Sequence, residues 1–271
     1  MPDYEKFEKV LARKDGRLLT LSLNRPHSLN AFGDGMHEEL EELVKLVRTD
    51  DSVGAILLKG EGRGFSAGGD IKEMAATKQA HSSRAASIFR TKDLLYGMLE
   101  IEQPIVAAIH GFAVGLAASI ALFCDVVIAA EDAFFADTHV NIGVVAGDGG
   151  AVLWPLLLPF GVAKYHLLTG DRIIGSDAAR MGMIYKAVPA EKVLEEATAI
   201  ARRLANGPPL AIRFTKTAVN QVLRERLNLV LDIGLALSAI TYISEDHREA
   251  ARAFTEKRDP IFRGDCVSEP T

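Results

Sequence analysis

Two glycine-rich segments of this chain could present backbone amides to a negatively charged oxygen. The first is residues 64–72, GFSAGGDIK, and the second is residues 111–116, GFAVGL. Each follows an apolar run, at 53–58 and 105–109, and each leads into a helix-like segment. Because the first amides of a helix have no acceptor within it, two such starts could face one ligand oxygen. The pair predicts an oxyanion hole.

Other kinds of site also use glycine-rich loops. A P-loop needs Lys-Ser or Lys-Thr directly after its last glycine, and a dinucleotide fingerprint needs Gly-x-Gly-x-x-Gly directly after a strand; residues 60–70 have neither arrangement. Residues 64–68 match Gly-x-Ser-x-Gly, the nucleophile elbow of α/β-hydrolases. A spacer at residues 60–64 would leave Ser66 on a loop, so we interpret that match as accidental.

The surrounding elements alternate between strand and helix, which indicates an α/β fold. Asp15-Gly16 joins the first two strand-like runs as a hairpin turn. The predicted strands are 6–14, 17–23, 54–59, 105–109, 124–129 and 184–188. The predicted helices are 35–48, 82–100, 115–122, 161–169 and 176–181.

The C-terminal part of the chain has a different pattern. After Gly207-Pro208-Pro209, residues 209–257 are helix-like throughout, with no strand-like alternation. Their apolar content is high for helices on a surface, so we expect them to contact a neighbouring subunit or to pack on the chain's own core. We therefore divide the chain into a core at 1–206 and a helical region at 207–271.

Composition and charge exclude several classes of protein. The 271 residues carry a net charge of -5 and no long basic run, which does not support nucleic-acid binding. The N-terminus lacks the features of a secretory or transit peptide, so we expect a cytoplasmic protein. Only two cysteines occur, Cys124 and Cys266, and neither a disulfide framework nor a zinc cluster is indicated. The longest apolar stretch, 105–130, is interrupted by His110 and Asp125, which argues against a membrane span.

Four motifs in the same order make the chain resemble the crotonases, the enoyl-CoA hydratase/isomerase superfamily. They are residues 23–31, 67–72, 104–111 and 245–258. The resemblance implies a spiral core of ββα units, a C-terminal helical region that forms trimers, and homotrimers or dimers of trimers. It also implies an acyl-CoA substrate.

The resemblance assigns the two backbone donors by motif position. The amides of Gly69 and Leu116 would hold the thioester carbonyl as an enolate forms, and preorganised donors stabilise that charge. Leu116 replaces a glycine common in the family, but its amide can still donate. The resemblance further implies that coenzyme A lies along His27, Ser28, Leu29, Ala67, Gly68, Gly69, Asp70, Ile71, Lys72, Phe254 and Lys257.

Both glutamates of the hydratases are missing from their motif positions, where Ser119 and His139 stand instead. Asp148 follows His139 by nine residues. An Asp bonded to one imidazole nitrogen would fix the tautomer and raise the basicity of the other nitrogen. A His-Asp pair with this spacing resembles that of the crotonase-family β-diketone hydrolases, and Ser119 resembles the serine of hydroxycinnamoyl-CoA hydratase/lyases.

Each of these residues also has a structural alternative. His139 could be a hydrogen-bonded core histidine, and Asp148 could cap a helix that begins near Gly149. Ser119 could simply be a small residue in the core, because an unassisted hydroxyl is a poor acid or base at neutral pH.

The sequence thus predicts an enzyme that acts on an acyl-CoA thioester through a stabilised enolate, with His139, oriented by Asp148, as acid/base and Ser119 as a further catalytic candidate. We expect no metal and no redox cofactor, and coenzyme A only as part of the substrate. One alternative is a β-diketone hydrolase that cleaves a carbon-carbon bond. Another is a catalytically silent homologue that binds acyl-CoA.

Overall fold

The computed structural model of the chain describes residues 2–70 and 81–264, and of residues 81–89 it describes the backbone alone. Strands alternate with helices, which confirms the α/β class. The strands are β1 (Val10–Asp15), β2 (Leu18–Leu23), β3 (Ala55–Gly60), β4 (Ile105–Ile109), β5 (Phe112–Val114), β6 (Val126–Ala130), β7 (Phe134–Ala136), β8 (Ile173–Ile174) and β9 (Lys186–Val188). The helices are α1 (Met36–Arg48), α2 (His81–Glu100), α3 (Leu116–Leu122), α4 (Gly150–Leu157), α5 (Phe160–Thr169), α6 (Gly175–Arg180), α7 (Val193–Ala205), α8 (Pro209–Tyr242) and α9 (Glu245–Glu256).

The strands form a large sheet and a small one. The six-stranded sheet has the order β1-β2-β3-β4-β6-β9, and only its β1–β2 hairpin is antiparallel. The three-stranded sheet has the order β5-β7-β8, with β5 parallel to β7. Strand β4 is followed within a few residues by β5, and β6 is followed by β7. Both connecting loops therefore run from the large sheet to the small one.

Helices cover both faces of the large sheet. The central strands β3 and β4 are almost wholly buried, as expected for parallel strands that are covered on both sides. On one face, alanines 197, 201 and 205 let α7 approach the sheet closely and complete a small apolar cluster. On the other face lies the main core, to which α1 contributes its predicted apolar stripe of Met36, Leu40, Leu43, Val44 and Val47.

Several boundaries differ from the predicted ones for physical reasons. Strand β1 begins at Val10 rather than residue 6, because the amides of residues 8–10 donate to the Glu39 carboxylate on α1. The helical pattern at 209–257 is divided: α8 ends at Tyr242, and the Ser244 hydroxyl caps α9 by accepting a hydrogen bond from His247 N at 3.2 Å. Helix α7 and the three strands of the small sheet were not predicted.

The C-terminal helices pack on the rest of the chain. Helix α8 lies against α2 and α4, and its Arg213 and Lys216 form ion pairs with Asp51 and Asp125 of the core. Helices α8 and α9 meet at an angle of 66°. Within the described residues no single helix is long and apolar enough to cross a membrane, although the bent pair α8–α9 together meets that length and composition test. The domain division at residue 207 stays a prediction.

Candidate functional site

The two glycine-rich segments run side by side. Ser66 and Ala113 form a parallel bridge, and Ser66 exchanges backbone hydrogen bonds with Phe112 and Val114. Gly68 has φ +85°, and a Cβ at this position would lie 2.4 Å from the Val114 carbonyl oxygen. Only glycine allows this backbone approach, because a side chain would clash and would be strained at that φ.

The two predicted donors follow this bridge on adjacent segments. Gly69 lies three residues after Ser66, and Leu116 lies three residues after Ala113. Leu116 is the first residue of α3, where an amide has no acceptor within the helix. Within the described residues neither amide has a hydrogen-bond acceptor. A single carbonyl oxygen could therefore accept from both. Whether a helix follows Gly69, as predicted, lies outside the described residues.

An ordered chain of three side chains lies next to these donors. His139 begins a 3-10 turn, His139–Ile142, that follows β7. Its Nδ1 lies 2.6 Å from Asp137 Oδ1, and its Nε2 lies 3.0 Å from Asp148 Oδ2. The three side chains are 1%, 10% and 18% exposed in the order Asp137, His139, Asp148. We call these three residues the acid/base cluster, after the role predicted for His139; Asp148 is its outermost member.

The two carboxylates determine the charge of the imidazole. Burial by itself would lower the pKa of His139, but the negative charges of Asp148 and Asp137 and their hydrogen bonds outweigh burial and raise that pKa well above 6.5. The two carboxylates therefore favour the protonated imidazole, with Nδ1 hydrogen-bonded to Asp137 and Nε2 at ion-pair distance from Asp148. Asp137 Oδ2 lies against the first residue of α4, since a Cβ on Gly150 would be 2.0 Å away, and this oxygen has no hydrogen-bond partner within the described residues.

The acid/base cluster and the predicted oxyanion donors share one location. The residue before Leu116 is Gly115, with φ +54°, and a Cβ there would lie 3.4 Å from His139 Cε1 and 3.8 Å from Nε2. The imidazole thus packs directly over the N-terminus of α3. A ligand oxygen held by the two amides would place its neighbouring atoms beside the cluster.

The positions of Asp148 and Ser119 bear on the structural alternatives. Asp148 does not cap α4: the N-cap residue is Gly149, and no described side chain caps that helix. Ser119 is fully buried, and its Oγ, 3.0 Å from where a Cβ of Gly149 would lie, has no hydrogen-bond partner within the described chain. Asp148 Oδ1 likewise has none there. The site therefore contains polar atoms that are not used to stabilise the fold.

The predicted CoA-binding residues fall into two groups. Residues 27–29 form a 3-10 turn and its end, and the amide of Ala67 donates to the carbonyl of Leu29 at 3.0 Å, so that turn adjoins the 66–70 loop. Arg25 joins the same turn to Asp70 at 3.4 Å. Phe254 and Lys257 are exposed on and just after α9, and α9 contacts α8 and the 139–142 turn. Ile71 and Lys72 lie outside the described residues.

The donor atoms of the acid/base cluster lie within 4.8 Å of one another, a separation at which a metal ion could be held. Sequence spacing alone did not indicate this group. However, the two carboxylates bond to opposite nitrogens of one imidazole ring. A metal ion bound at His139 Nδ1 would have to displace the hydrogen bond between that nitrogen and Asp137 Oδ1.

Sequence reasoning did not single out Asp137. The available signal was its position two residues before His139, directly after a strand, in the order Asp-Thr-His. In an extended chain residues two apart point to the same side, which brings a carboxylate beside an imidazole. The longer-range Asp148 contact, in contrast, was predicted from spacing and resemblance, and the two side chains do meet.

Comparison with known proteins agrees with this architecture. The model of the enoyl-CoA hydratase/isomerase family matches residues 13–265. The probable mitochondrial enoyl-CoA hydratase of Dictyostelium discoideum is 33% identical over 259 residues, which cover 96% of this chain and 92% of that protein. The 1,2-epoxyphenylacetyl-CoA isomerase of Escherichia coli (strain K12) is also 33% identical over 259 residues, covering 95% and 99%.

Solved structures extend the likeness to three dimensions. The enoyl-CoA hydratase/isomerase of Mycobacterium paratuberculosis is 34% identical with a TM-score of 0.86, over 90% of this chain and 97% of that one. A second enzyme, an enoyl-CoA hydratase of Mycobacterium avium subsp. paratuberculosis K-10, is 28% identical with a TM-score of 0.85, over 94% and 99%. The chain has the crotonase fold and belongs to the enoyl-CoA hydratase/isomerase family of enzymes.

Proposed function

We propose that this protein catalyses proton transfer next to the carbonyl of an acyl-CoA thioester. The carbonyl oxygen would accept hydrogen bonds from the amides of Gly69 and Leu116, and the acid/base cluster would exchange a proton with the adjacent carbon. The observation that carries this proposal is the packing of the His139 ring over Gly115, the residue before Leu116, because it sets the cluster beside one of the two proposed amide donors.

Within the cluster, Asp148 is the group that meets the substrate. Its side chain as a whole is the most exposed of the three, and its Oδ1 is buried without a partner within the described residues. Both nitrogens of His139 are occupied by carboxylates, so the imidazolium has no free lone pair. Asp148 Oδ1 would take the proton from the substrate, while His139 stabilises the carboxylate from the other side and Asp137 holds the ring.

One proton carrier suits some reactions of this family better than others. Water addition requires one group to deprotonate water and another to protonate the α-carbon. Ser119 stands at one of the two glutamate positions of the hydratases, but it is buried and has no base beside it within the described chain. Double-bond migration in an enoyl-CoA needs only one group, which removes the C2 proton and returns it at C4. This favours isomerisation; the named relatives of equal identity include both a hydratase and an isomerase.

The second candidate is β-diketone hydrolysis, and the 3.0 Å contact between His139 and Asp148 favours it. In that reaction the pair would activate water for attack on a ketone, and no CoA group would be needed. The turn at 27–29 against the 66–70 loop instead supports a CoA thioester. A silent acyl-CoA-binding role is opposed by the unpartnered Oδ1 of Asp148, since a buried polar atom without a partner is unfavourable unless it has a use.

We further propose that the activity needs neither a metal nor a redox cofactor, and that coenzyme A enters only with the substrate. The hydrogen bond between His139 Nδ1 and Asp137 Oδ1 supports this, because a metal at that nitrogen would have to displace it. Activity should persist after dialysis against EDTA. Loss of activity that added Mg²⁺ or Zn²⁺ restores would contradict this.

Self-association through α8 is the expected assembly. Its outward face carries the exposed apolar residues Leu229, Ile233, Leu237 and Ile240. An apolar surface of this kind usually marks an interface, and we propose that it forms homotrimers or dimers of trimers. Sedimentation of the wild type and of Ile233→Glu tests this: the wild type should be trimeric or hexameric and the variant smaller, whereas a monomeric wild type would contradict the proposal.

The proposed reaction is tested with a panel of 2-enoyl- and 3-enoyl-CoA thioesters, from short to aromatic acyl groups, together with cyclic β-diketones. The absorbance of the conjugated thioester reports its formation or loss. We expect turnover of enoyl-CoA that His139→Ala abolishes while binding of CoA is retained. Cleavage of diketones without turnover of any enoyl-CoA would favour the hydrolase, and no turnover of either class would contradict the enzyme proposal.

A further inference from the structure

The loop that carries Asp148 is held by side chains of α8. The amide of Val145 donates to Thr241 Oγ1 at 3.2 Å, and the Ser238 hydroxyl donates to the Val145 carbonyl at 2.9 Å. Both backbone polar groups of Val145, three residues before Asp148, are thus bound by two residues on one face of α8. Hydrogen bonds from a helix to both backbone groups of one residue fix its position and its orientation.

The backbone of the loop also touches the backbone of α8. Gly147, next to Asp148, faces Gly234: a Cβ on Gly147 would lie 2.3 Å from the Gly234 carbonyl oxygen and 2.4 Å from Ser238 Oγ. A Cβ on Gly234 would in turn lie 3.2 Å from Gly147 Cα. Glycine at both positions allows loop and helix to meet without intervening side chains, so a movement of one moves the other.

The C-terminal helices also hold the segment that carries His139. The 3-10 turn that begins with His139 ends at Ile142, whose carbonyl oxygen lies 2.8 Å from Nδ1 of His247 on α9. A Cβ on Gly143 would lie 3.0 Å from the amide nitrogen of His247. The segments that carry His139 and Asp148 are therefore both held by one helical unit, α8 with α9.

We propose that Ser238 and Thr241 are positioning residues for the acid/base cluster: by fixing Val145 they hold the Asp148 carboxylate at hydrogen-bond distance from His139. The proposal rests on the proposed function, in which Asp148 transfers the proton. Neither hydroxyl is required to touch the substrate. Their effect is on geometry, and a misplacement of about 1 Å in a catalytic group can lower a rate roughly 10²-fold.

The central variant is Thr241→Val, which keeps the shape of the side chain and removes the acceptor for Val145 N. Thr217→Val is a matched control, since Thr217 lies on the same helix and its hydroxyl donates to the carbonyl four residues earlier at 2.9 Å, as that of Thr241 does at 3.2 Å. Among the described residues, Thr217 has no hydrogen bond to the 143–149 loop. Thr241→Ser keeps the hydroxyl and should restore function.

We expect kcat of Thr241→Val to fall by about tenfold or more with little change in KM, because binding of the thioester does not depend on Asp148. Thr217→Val and Thr241→Ser should remain within about twofold of the wild type. If Thr241→Val does not fold, Ser238→Ala carries the same expectations. A kcat of Thr241→Val equal to that of Thr217→Val would overturn the proposal, as would a rise in KM that accounts for the whole loss.

A second readout does not depend on turnover. The ring of His139 can be titrated by NMR in the intact protein, and Asp148 and Asp137 are the charged groups that face it. If Thr241 positions Asp148, the pKa of His139 should be lower in Thr241→Val than in Thr217→Val; equal values would overturn the positioning role. Absence of turnover in the wild type would contradict only the proposed function, and the titration would still decide the positioning.

Discussion

Replacement of Asp148 by Asn is the sharpest local perturbation of the site. The amide keeps the shape of the carboxylate but cannot accept a proton, and it removes the negative charge 3.0 Å from His139 Nε2. General acid/base catalysis contributes about 10²- to 10⁴-fold, which is roughly 3–5 kcal/mol of transition-state stabilisation. A charge pair about 4 Å apart at an effective dielectric constant near 20 is worth about 4 kcal/mol, so the imidazolium is also destabilised by a similar amount.

The fold should tolerate this change. Two carboxylates and one imidazolium give the cluster a net charge of -1, and Asp148→Asn brings it to zero, so no unpaired charge is left buried. The lost ion pair should lower the melting temperature, and the loss in rate should persist at temperatures where Asp148→Asn is still fully folded. This separates a catalytic role from a structural one.

The assay is steady-state turnover of the best thioester from the substrate panel, measured for Asp148→Asn and for a control, Asp132→Asn. Asp132 is exposed on the turn between β6 and β7. We expect kcat of Asp148→Asn to fall at least 10²-fold at nearly unchanged KM, and Asp132→Asn to match the wild type. A kcat within threefold of that of the control would refute the assignment of Asp148 as the proton carrier.

Three further predictions address the rest of the site. Leu116→Pro removes the N–H at the first position of α3, where proline is tolerated, and should lower kcat by about 10²- to 10³-fold, whereas Leu116→Ala should stay near the wild type; equal rates would exclude the amide as a donor. Asp137→Asn should lower the pKa of His139 and shift the pH–rate profile to lower pH, and an unchanged profile would contradict its role. Because the pKa of His139 is raised above 6.5 in the folded state, its contribution to stability is complete below pH 6.5 and is lost as the pH rises through the folded-state pKa. Denaturant unfolding of His139→Gln should lack that decline, and identical pH dependence in both proteins would refute it.

Local patterns were sufficient to predict much of the fold. The apolar stripe of α1 follows helical periodicity, and its five members are all buried. The hairpin at Asp15-Gly16 is confirmed by the antiparallel register of β1 and β2. The parallel strands β3 and β4 are continuous apolar runs, which is how strands covered on both faces appear in a sequence. These features depend on residues that are close together along the chain, so a single sequence is enough to predict them.

The remaining features depend on contacts between distant segments. Helix α7 was not predicted, and its alanines make sense only beside the sheet on which it packs. The contact between Asp137 and His139 depends on the turn that follows β7. The hydrogen bond between Thr241 and Val145 joins residues 96 positions apart in the sequence. Helix α8, which the sequence predicted to contact a neighbouring subunit or to pack on the chain's own core, also holds the loop that carries Asp148. A pattern along one helix shows which face is apolar, but it does not show what the polar positions of its inner face touch.

The most direct test of the proposed chemistry is the exchange of the C2 protons of an acyl-CoA with solvent. A saturated acyl-CoA is incubated with the protein in D2O, and deuterium at C2 is followed by mass spectrometry or NMR. This reports enolate formation alone, whichever later step the enzyme catalyses. We predict exchange with the wild type and with Asp132→Asn, and a loss of at least 10²-fold with Asp148→Asn and with His139→Ala. No exchange with the wild type, or equal exchange with all four proteins, would contradict the proposal that these amides and this acid/base cluster act together on an acyl-CoA enolate.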